Sequence, residues 1–164
     1  MKRMKQWLAV GLAAALSACA SQRGPMVLPT IGPAPVETSA GKGLGNLVVF
    51  TAWVQDRSFD RHTDYILISD GGKLDKPIRN QADAFDQRPS VVVLPAGRYQ
   101  VIAPSENYGR IKVPVLVQEG RTTFVYLDSS SQPRVAESET NKLVKLPDGS
   151  IAGWAADAGS NEAK

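Results

Sequence analysis

Residues 90–127 read SVVVLPAGRYQVIAPSENYGRIKVPVLVQEGRTTFVYL. Four short runs rich in Val, Ile, Tyr, Phe and Thr (90–94, 98–103, 110–117 and 122–127) stand between turn residues, the signature of β-strands. In the second run Tyr99, Val101 and Ala103 share one face, and Arg98 and Gln100 the other. In the third, Ile111, Val113, Val115 and Val117 align opposite Lys112 and Pro114. This period of two predicts half-buried antiparallel strands. Pro95-Ala96-Gly97 suits a tight turn, with Pro fixing φ and Gly tolerating a positive φ. Glu119-Gly120 predicts a hairpin closing 110–117 onto 122–127. Pro114 has no N–H for a ladder, so its strand is expected at an edge or at a bulge. Phe124 and Tyr126 oppose Thr123, Val125 and Leu127, so the last strand is expected to be central or covered on both sides.

Working outward, two further runs precede this block: LVVFTAWVQ at 47–55 and TDYILIS at 63–69, the latter ended by Asp70-Gly71-Gly72. The polar stretch 73–89 reads as a long connection with a short strand near 77–80. No helical stripe of three turns or more is present. The expected fold is all-β, a small antiparallel β-sandwich of about six to seven strands over residues 47–128, a length sufficient for one small domain. Residues 129–140 read as a linker. LVKLPDGSIAGW at 143–154 carries a Pro147-Asp148-Gly149 turn between apolar pairs and predicts a hairpin. It either adds to the sandwich or docks elsewhere. The last ten residues are expected to fray.

The amino-terminal residues follow a different grammar. Lys2, Arg3 and Lys5 give a positive start, residues 8–16 are apolar and uncharged, and Leu16-Ser17-Ala18-Cys19 ends the segment with small residues before a cysteine. This is the order of a secretory signal, and its apolar run is far shorter than the roughly 20 residues that span a bilayer. The tetrapeptide resembles the lipobox of bacterial lipoproteins at every position. That resemblance implies a signal peptide over 1–18, a diacylglyceryl group on the Cys19 thiol, and acylation of the new amino terminus. Cys19 is the only cysteine, so no intramolecular disulfide is possible, and lipidation accounts for an odd thiol in an exported chain. One acyl chain holds a protein weakly, at about 0.8 kcal/mol per buried methylene, and two or more hold it stably. By resemblance to lipoproteins of two-membrane bacteria, Ala20 after the cysteine favours the outer membrane. Residues 19–46, with Pro25, Pro29, Pro33 and Pro35 followed by Gly41, Gly43 and Gly45, are expected as a flexible tether.

Removal of the signal changes the charge. The whole chain has a formal charge of +3 and a pI near 9.1. Three of its 19 basic residues lie before Cys19 and none of its 16 acidic ones do, so the mature chain carries 16 of each and no net charge. No dense Lys/Arg run follows Cys19, and a nucleic-acid partner is not expected.

The turns of the opening stretch also resemble the second half of carboxypeptidase-regulatory-like, or transthyretin-like, β-sandwich domains. The shared features are Leu94-Pro95-Ala96-Gly97-Arg98-Tyr99, then Tyr108-Gly109, which reverses the family's common Gly-Tyr order, then Glu119-Gly120-Arg121-Thr122-Thr123. The likeness covers about a quarter of the chain, and residues 47–89 match poorly. It implies an accessory module on an exported protein, sometimes one that binds glycans or proteins, and it carries over no catalytic residue.

Chemistry has one candidate centre. His62, the only histidine, stands with Asp60 and Asp64 at strand spacing, where an imidazole and two carboxylates on one side would suit a hydrolase or a metal-dependent enzyme. Zinc needs three or four ligands of suitable geometry, and cysteine is absent here. A solvated turn of alternating charges explains the same residues. Asp70, Asp75, Asp83 and Asp86 have no calcium-loop spacing. No Gly-x-Ser-x-Gly elbow, phosphate-binding loop or His-Glu-x-x-His is present, and no cofactor is expected. Trp53, Tyr65 and Trp154, with Phe124 and Tyr126, would stack on sugar rings if exposed, although aromatics at strand spacing usually fill cores. The sequence therefore reads as a non-catalytic binding or scaffolding module of the cell envelope, held to a lipid membrane through Cys19, with a glycan or a protein as partner.

Overall fold

A computed structural model describes residues 24–35, 43–56, 59–71, 75–81 and 88–156. The signal peptide, Cys19, Asp83 and Asp86 lie outside them. The chain is all-β and forms a two-sheet sandwich. Its strands are β1 (Met26–Val27), β2 (Ile31–Gly32), β3 (Leu44–Phe50), β4 (Trp53–Asp56), β5 (Phe59–His62), β6 (Tyr65–Ser69), β7 (Asp75–Ile78), β8 (Val91–Pro95), β9 (Gly97–Ser105), β10 (Gly109–Val117), β11 (Thr122–Tyr126), β12 (Leu143–Lys145) and β13 (Ile151–Ala155). A 3₁₀ turn, Glu137–Lys142, precedes β12.

The larger sheet has the order β12-β13-β2-β10-β9-β6-β7, with β1 also on β10. The smaller sheet is β11-β3-β8, and β4 and β5 form a separate hairpin. The alternating residues predicted to face inward do so. Val101 and Ala103 of β9 and Ile111, Val113, Val115 and Val117 of β10 are buried against Leu47 and Val49 of β3, Leu94 of β8 and Val125 of β11. Each such side chain contributes roughly 1.5–3 kcal/mol relative to exposure.

Several expectations need correction, and each correction has a local cause. Glu119-Gly120 does not close a hairpin, because β10 and β11 lie in different sheets. β10 is already flanked by β9 on one side and by β1 and β2 on the other, so the chain must cross to the open edge of β3. It turns through Gly120 at φ +69°, and β11 then runs parallel to β3. The tight turn expected at Pro95-Ala96-Gly97 is present, and it also carries the chain from the smaller sheet to the larger one.

Pro114 lies on neither an edge nor a bulge, because β10 pairs with β9 in unbroken register from Gly109 to Val117. The Leu28 N–H donates to the Lys112 carbonyl at 3.0 Å, so the even-numbered backbone groups of β10 face β1 and β2. Lys112 pairs with Val27 and Val115 with Ile31, which places Pro114 in the gap between those two short strands. No donor is needed there.

The run 47–55 is two strands. β3 ends at Phe50 because the backbone at 51–52 changes partners: the Ala52 N–H donates to the Pro104 carbonyl at 3.1 Å, and buried Thr51 donates its hydroxyl to the Thr63 carbonyl at 2.6 Å. The expected tether contributes structure too. β1 and β2 pair parallel with β10, and Leu28 and Ile31 are buried in the core. The hairpin at 143–154 adds to the sandwich, since β13 pairs antiparallel with β2. Residues 129–135 lie against the fold rather than acting as a linker. Ser130 and Ser131 donate hydroxyls to the buried Asp128 carboxylate, and Val135 packs on Tyr126 and Trp154.

Candidate functional site

His62 pairs across the β4–β5 hairpin with Trp53. Its ring is 2 % exposed and lies 4.1 Å from the Trp53 ring, tilted by 33°, with Phe50 edge-on at 5.8 Å. Nδ1 is 2.7 Å from the Thr51 carbonyl oxygen. A carbonyl only accepts, so Nδ1 carries a proton and donates it. The imidazole is thus held between aromatic rings by a backbone bond rather than presented to a cleft.

The two carboxylates grouped with it by spacing are elsewhere. Asp64 accepts from Arg61 at 3.1 Å and from the Asn80 backbone N–H at 3.1 Å, and Asp60 is exposed. Among the described residues no three His, Cys, Asp or Glu side chains gather to hold a metal ion. His62, Asp60 and Asp64 therefore do not form the convergent site that the enzyme reading requires.

The three aromatic candidates also part company. Tyr65 is in the main core, where burial raises its phenol well above its ordinary range. Trp53 and Trp154 stand at opposite ends of one aromatic row on the outer face of the smaller sheet. Trp53 meets His62, His62 meets Phe50, Phe50 stacks on Tyr126 at 4.8 Å, and Tyr126 meets Trp154 at 6.4 Å. Offset and edge-on rings of this kind are packing contacts. The Trp53 indole N–H is occupied by Asp128 Oδ2 at 3.1 Å and Ser130 Oγ at 3.0 Å. Trp154 is buried, and its rim lines a shallow groove of about 190 Å³ with Pro33, Pro35, Gln118, Arg121 and Lys142. No flat aromatic platform faces solvent among Trp53, Tyr65 and Trp154.

The feature that does face outward is the strand edge at β8. The Gly120 N–H donates to the Leu44 carbonyl and the Asn46 N–H to the Arg121 carbonyl, so the even-numbered groups of β3 face β11 and the odd-numbered ones face β8. Gly45 and Leu47 pair with Leu94 and Val92, which leaves the backbone groups of Val91 and Val93 pointing away from the sheet. No described strand pairs with them. Their side chains are 60 % and 55 % exposed, in register with Val48 and Asn46 on the outer face. Pro89 and Pro95 bracket the edge, and neither has an N–H.

Sequence reasoning missed this edge, although the signal was present: three consecutive valines cannot all face one core in a strand of period two. It also missed Asn80. That buried amide donates to the Val49 carbonyl at 2.8 Å and to Thr51 Oγ1 at 3.0 Å, and accepts from the Ser90 N–H at 3.2 Å. It fixes the start of β8 to the end of β3. Compared with known protein families, curated proteins and solved structures, the chain matches none.

Proposed function

We propose that this chain is a lipid-anchored protein of the cell envelope, at the outer membrane in a two-membrane host, whose folded part is a non-catalytic module that binds another protein. The anchor is Cys19, and the support for it is the lipobox-like Leu16-Ser17-Ala18-Cys19 behind a charged and then apolar segment. Among the described residues no helix is long and apolar enough to cross a membrane. The resemblance of residues 91–127 to carboxypeptidase-regulatory-like domains points the same way, toward an accessory module.

The observation that carries the binding reading is the β8 edge, with which no described strand pairs, and the exposure of Val91 and Val93 on it. An extended segment laid along such an edge gains main-chain hydrogen bonds, and pockets for alternate side chains give it selectivity. The bracketing prolines limit how far a partner strand can run, which is how natural sheets restrict uncontrolled pairing. A glycan partner has less support, because Tyr65 and Trp154 are buried and the Trp53 indole packs on His62.

Two experiments test the reading. Replacing Cys19 with Ala in the full chain is expected to release the protein from salt-washed membranes; sedimentation with them as before would end the anchor reading. Soluble residues 23–164 are expected to retain a partner saturably from detergent-solubilised envelope proteins and not to bind purified wall glycan, and Val93→Lys is expected to abolish the retention. Retention on glycan, or retention that Val93→Lys leaves intact, would remove the strand-edge mechanism.

A further inference from the structure

The sandwich has two distinct ends. At one end lie β1, the β9–β10 turn, the end of β11 and the β12–β13 turn: Met26 pairs with Ile111, the Glu106 N–H donates to the Leu127 carbonyl, and Tyr108 stands close enough to Asp148 for that carboxylate to help raise its phenol, after burial. At the other lie the start of β3 and the β10–β11 crossing, where the Gly120 N–H donates to the Leu44 carbonyl. Nine residues of β10 separate the ends, a distance of about 30 Å at roughly 3.3 Å per residue.

From Cys19 to Gly24 there are five residue steps. Five steps span at most about 18 Å in any conformation, at up to roughly 3.6 Å each. Because β1 and β2 belong to the fold, the anchor joins the sandwich at the first of these ends. It does not reach it through the long spacer that the proline and glycine content suggests.

That end has the surface to match. Gly24, Pro25, Met26, Ile102, Tyr108, Gly109 and Arg110 line a shallow groove, and Val27 beside it is 61 % exposed. Met26 and Tyr108 rest on the core with part of their surface outward, and a tyrosine of this kind, apolar in its ring and polar at its tip, suits a lipid headgroup boundary. Arg110 and Lys112, the latter in register with Val27, are offset by Glu106 and Asp148 at the same end, so attraction to anionic lipid is not the source of contact. We infer that this end, centred on Pro25, Met26, Val27 and Tyr108, rests on the phospholipid surface that holds the anchor; the inference depends on the lipidation of Cys19 proposed above. A patch this small binds a bilayer weakly alone. Attachment through five residues makes the encounter intramolecular, with an effective concentration in the millimolar range for a short linker. The Val91–Val93 edge and the Trp154 groove are then left accessible above the surface.

The test uses full-length acylated protein in phosphatidylcholine vesicles. Cys19 is consumed as a thioether, so Val27→Cys or Glu119→Cys supplies the only free thiol for an environment-sensitive dye. Lipid-borne quencher is expected to quench the dye at position 27 several-fold more than at 119, with no change in high salt. An insertion of about ten Gly/Ser residues after Arg23, which lengthens the reach, is expected to reduce that difference. Equal quenching at both positions with Cys19 acylated by mass would overturn the docking and leave the anchor intact. Failure of the wild-type chain to float with vesicles, with Cys19 unmodified, would overturn the anchor and this inference with it.

Discussion

Gly45 shows how one residue sets the spacing between the sheets. A Cβ built there would stand 2.2 Å from the Gln118 carbonyl oxygen and 2.7 Å from Val117 Cγ1. The first contact is backbone, fixed by the crossing from β10 to β11, so no rotamer change relieves it. Gly45→Ala is expected to cost about 1–3 kcal/mol or more by overpacking, read as a lower midpoint in urea with an unchanged slope. In the sequence Gly45 is one of five glycines in the stretch 19–46 that resembles a tether, and nothing local separates a packing glycine from a flexible one. Tyr126 supplies a second test at this scale. Burial, and then the Asp128 carboxylate, push its phenol from 10.0 up to about 12. The folded state therefore holds this proton more tightly than the unfolded chain. The associated stability is complete below about pH 10 and is lost as pH rises toward 12. Tyr126→Phe is expected to flatten that alkaline decline in stability measured by denaturant titration between pH 9 and 12; an unchanged decline would assign it to other groups such as Tyr65.

Among elements, β2 links two parts of the larger sheet with two residues. These pair with β10 on one side and β13 on the other, so among the described strands the C-terminal hairpin joins the large sheet through β2. Ile31 is fully buried. Ile31→Ala is expected to cost about 2–5 kcal/mol, and residues 143–155 are expected to lose hydrogen-exchange protection ahead of β9 and β10; uniform loss of protection would mean that the hairpin is not a separate unit. What the sequence made legible at this scale follows the same logic. Alternation is a property of one strand, so β9 and β10 could be read with their inward faces correct. Partner choice is a property of two strands. The hairpin reading of Glu119-Gly120 failed because occupancy of both edges of β10 is invisible within 110–127, and Pro114 was misplaced because its gap is made by the ends of β1 and β2, some eighty residues upstream.

At the scale of the whole molecule, the boundary drawn at 47–128 encloses most of the buried side chains but not the strands that close the sheets. Without residues 24–35, β10 loses β1 and β2 along one edge, and Leu28 and Ile31 no longer cover Ile111 and Val115. Without residues 129–156, Tyr126 and Phe124 lose Val135, Leu143 and Trp154. Val144, Leu146 and Ala152 also leave the core. A small domain is only about 5–15 kcal/mol more stable than its unfolded state, and each of these losses is worth roughly 1.5–3 kcal/mol per buried side chain, so the remainder has no net stability. Residues 24–156 are therefore expected to unfold cooperatively with one midpoint, whereas 47–128 is expected to be unfolded or aggregated under the same conditions, the exposed edges of β10 and β11 making aggregation the more frequent outcome. Circular dichroism and amide proton dispersion on the two fragments decide it. A cooperative, dispersed 47–128 would mean that the flanking strands decorate an autonomous sandwich and that the closeness of Cys19 to the fold is incidental to its stability. Failure of 47–128 alone would mean that the segment between Cys19 and the domain is part of the core, so that the fold and the lipid attachment proposed at Cys19 would share the same strands.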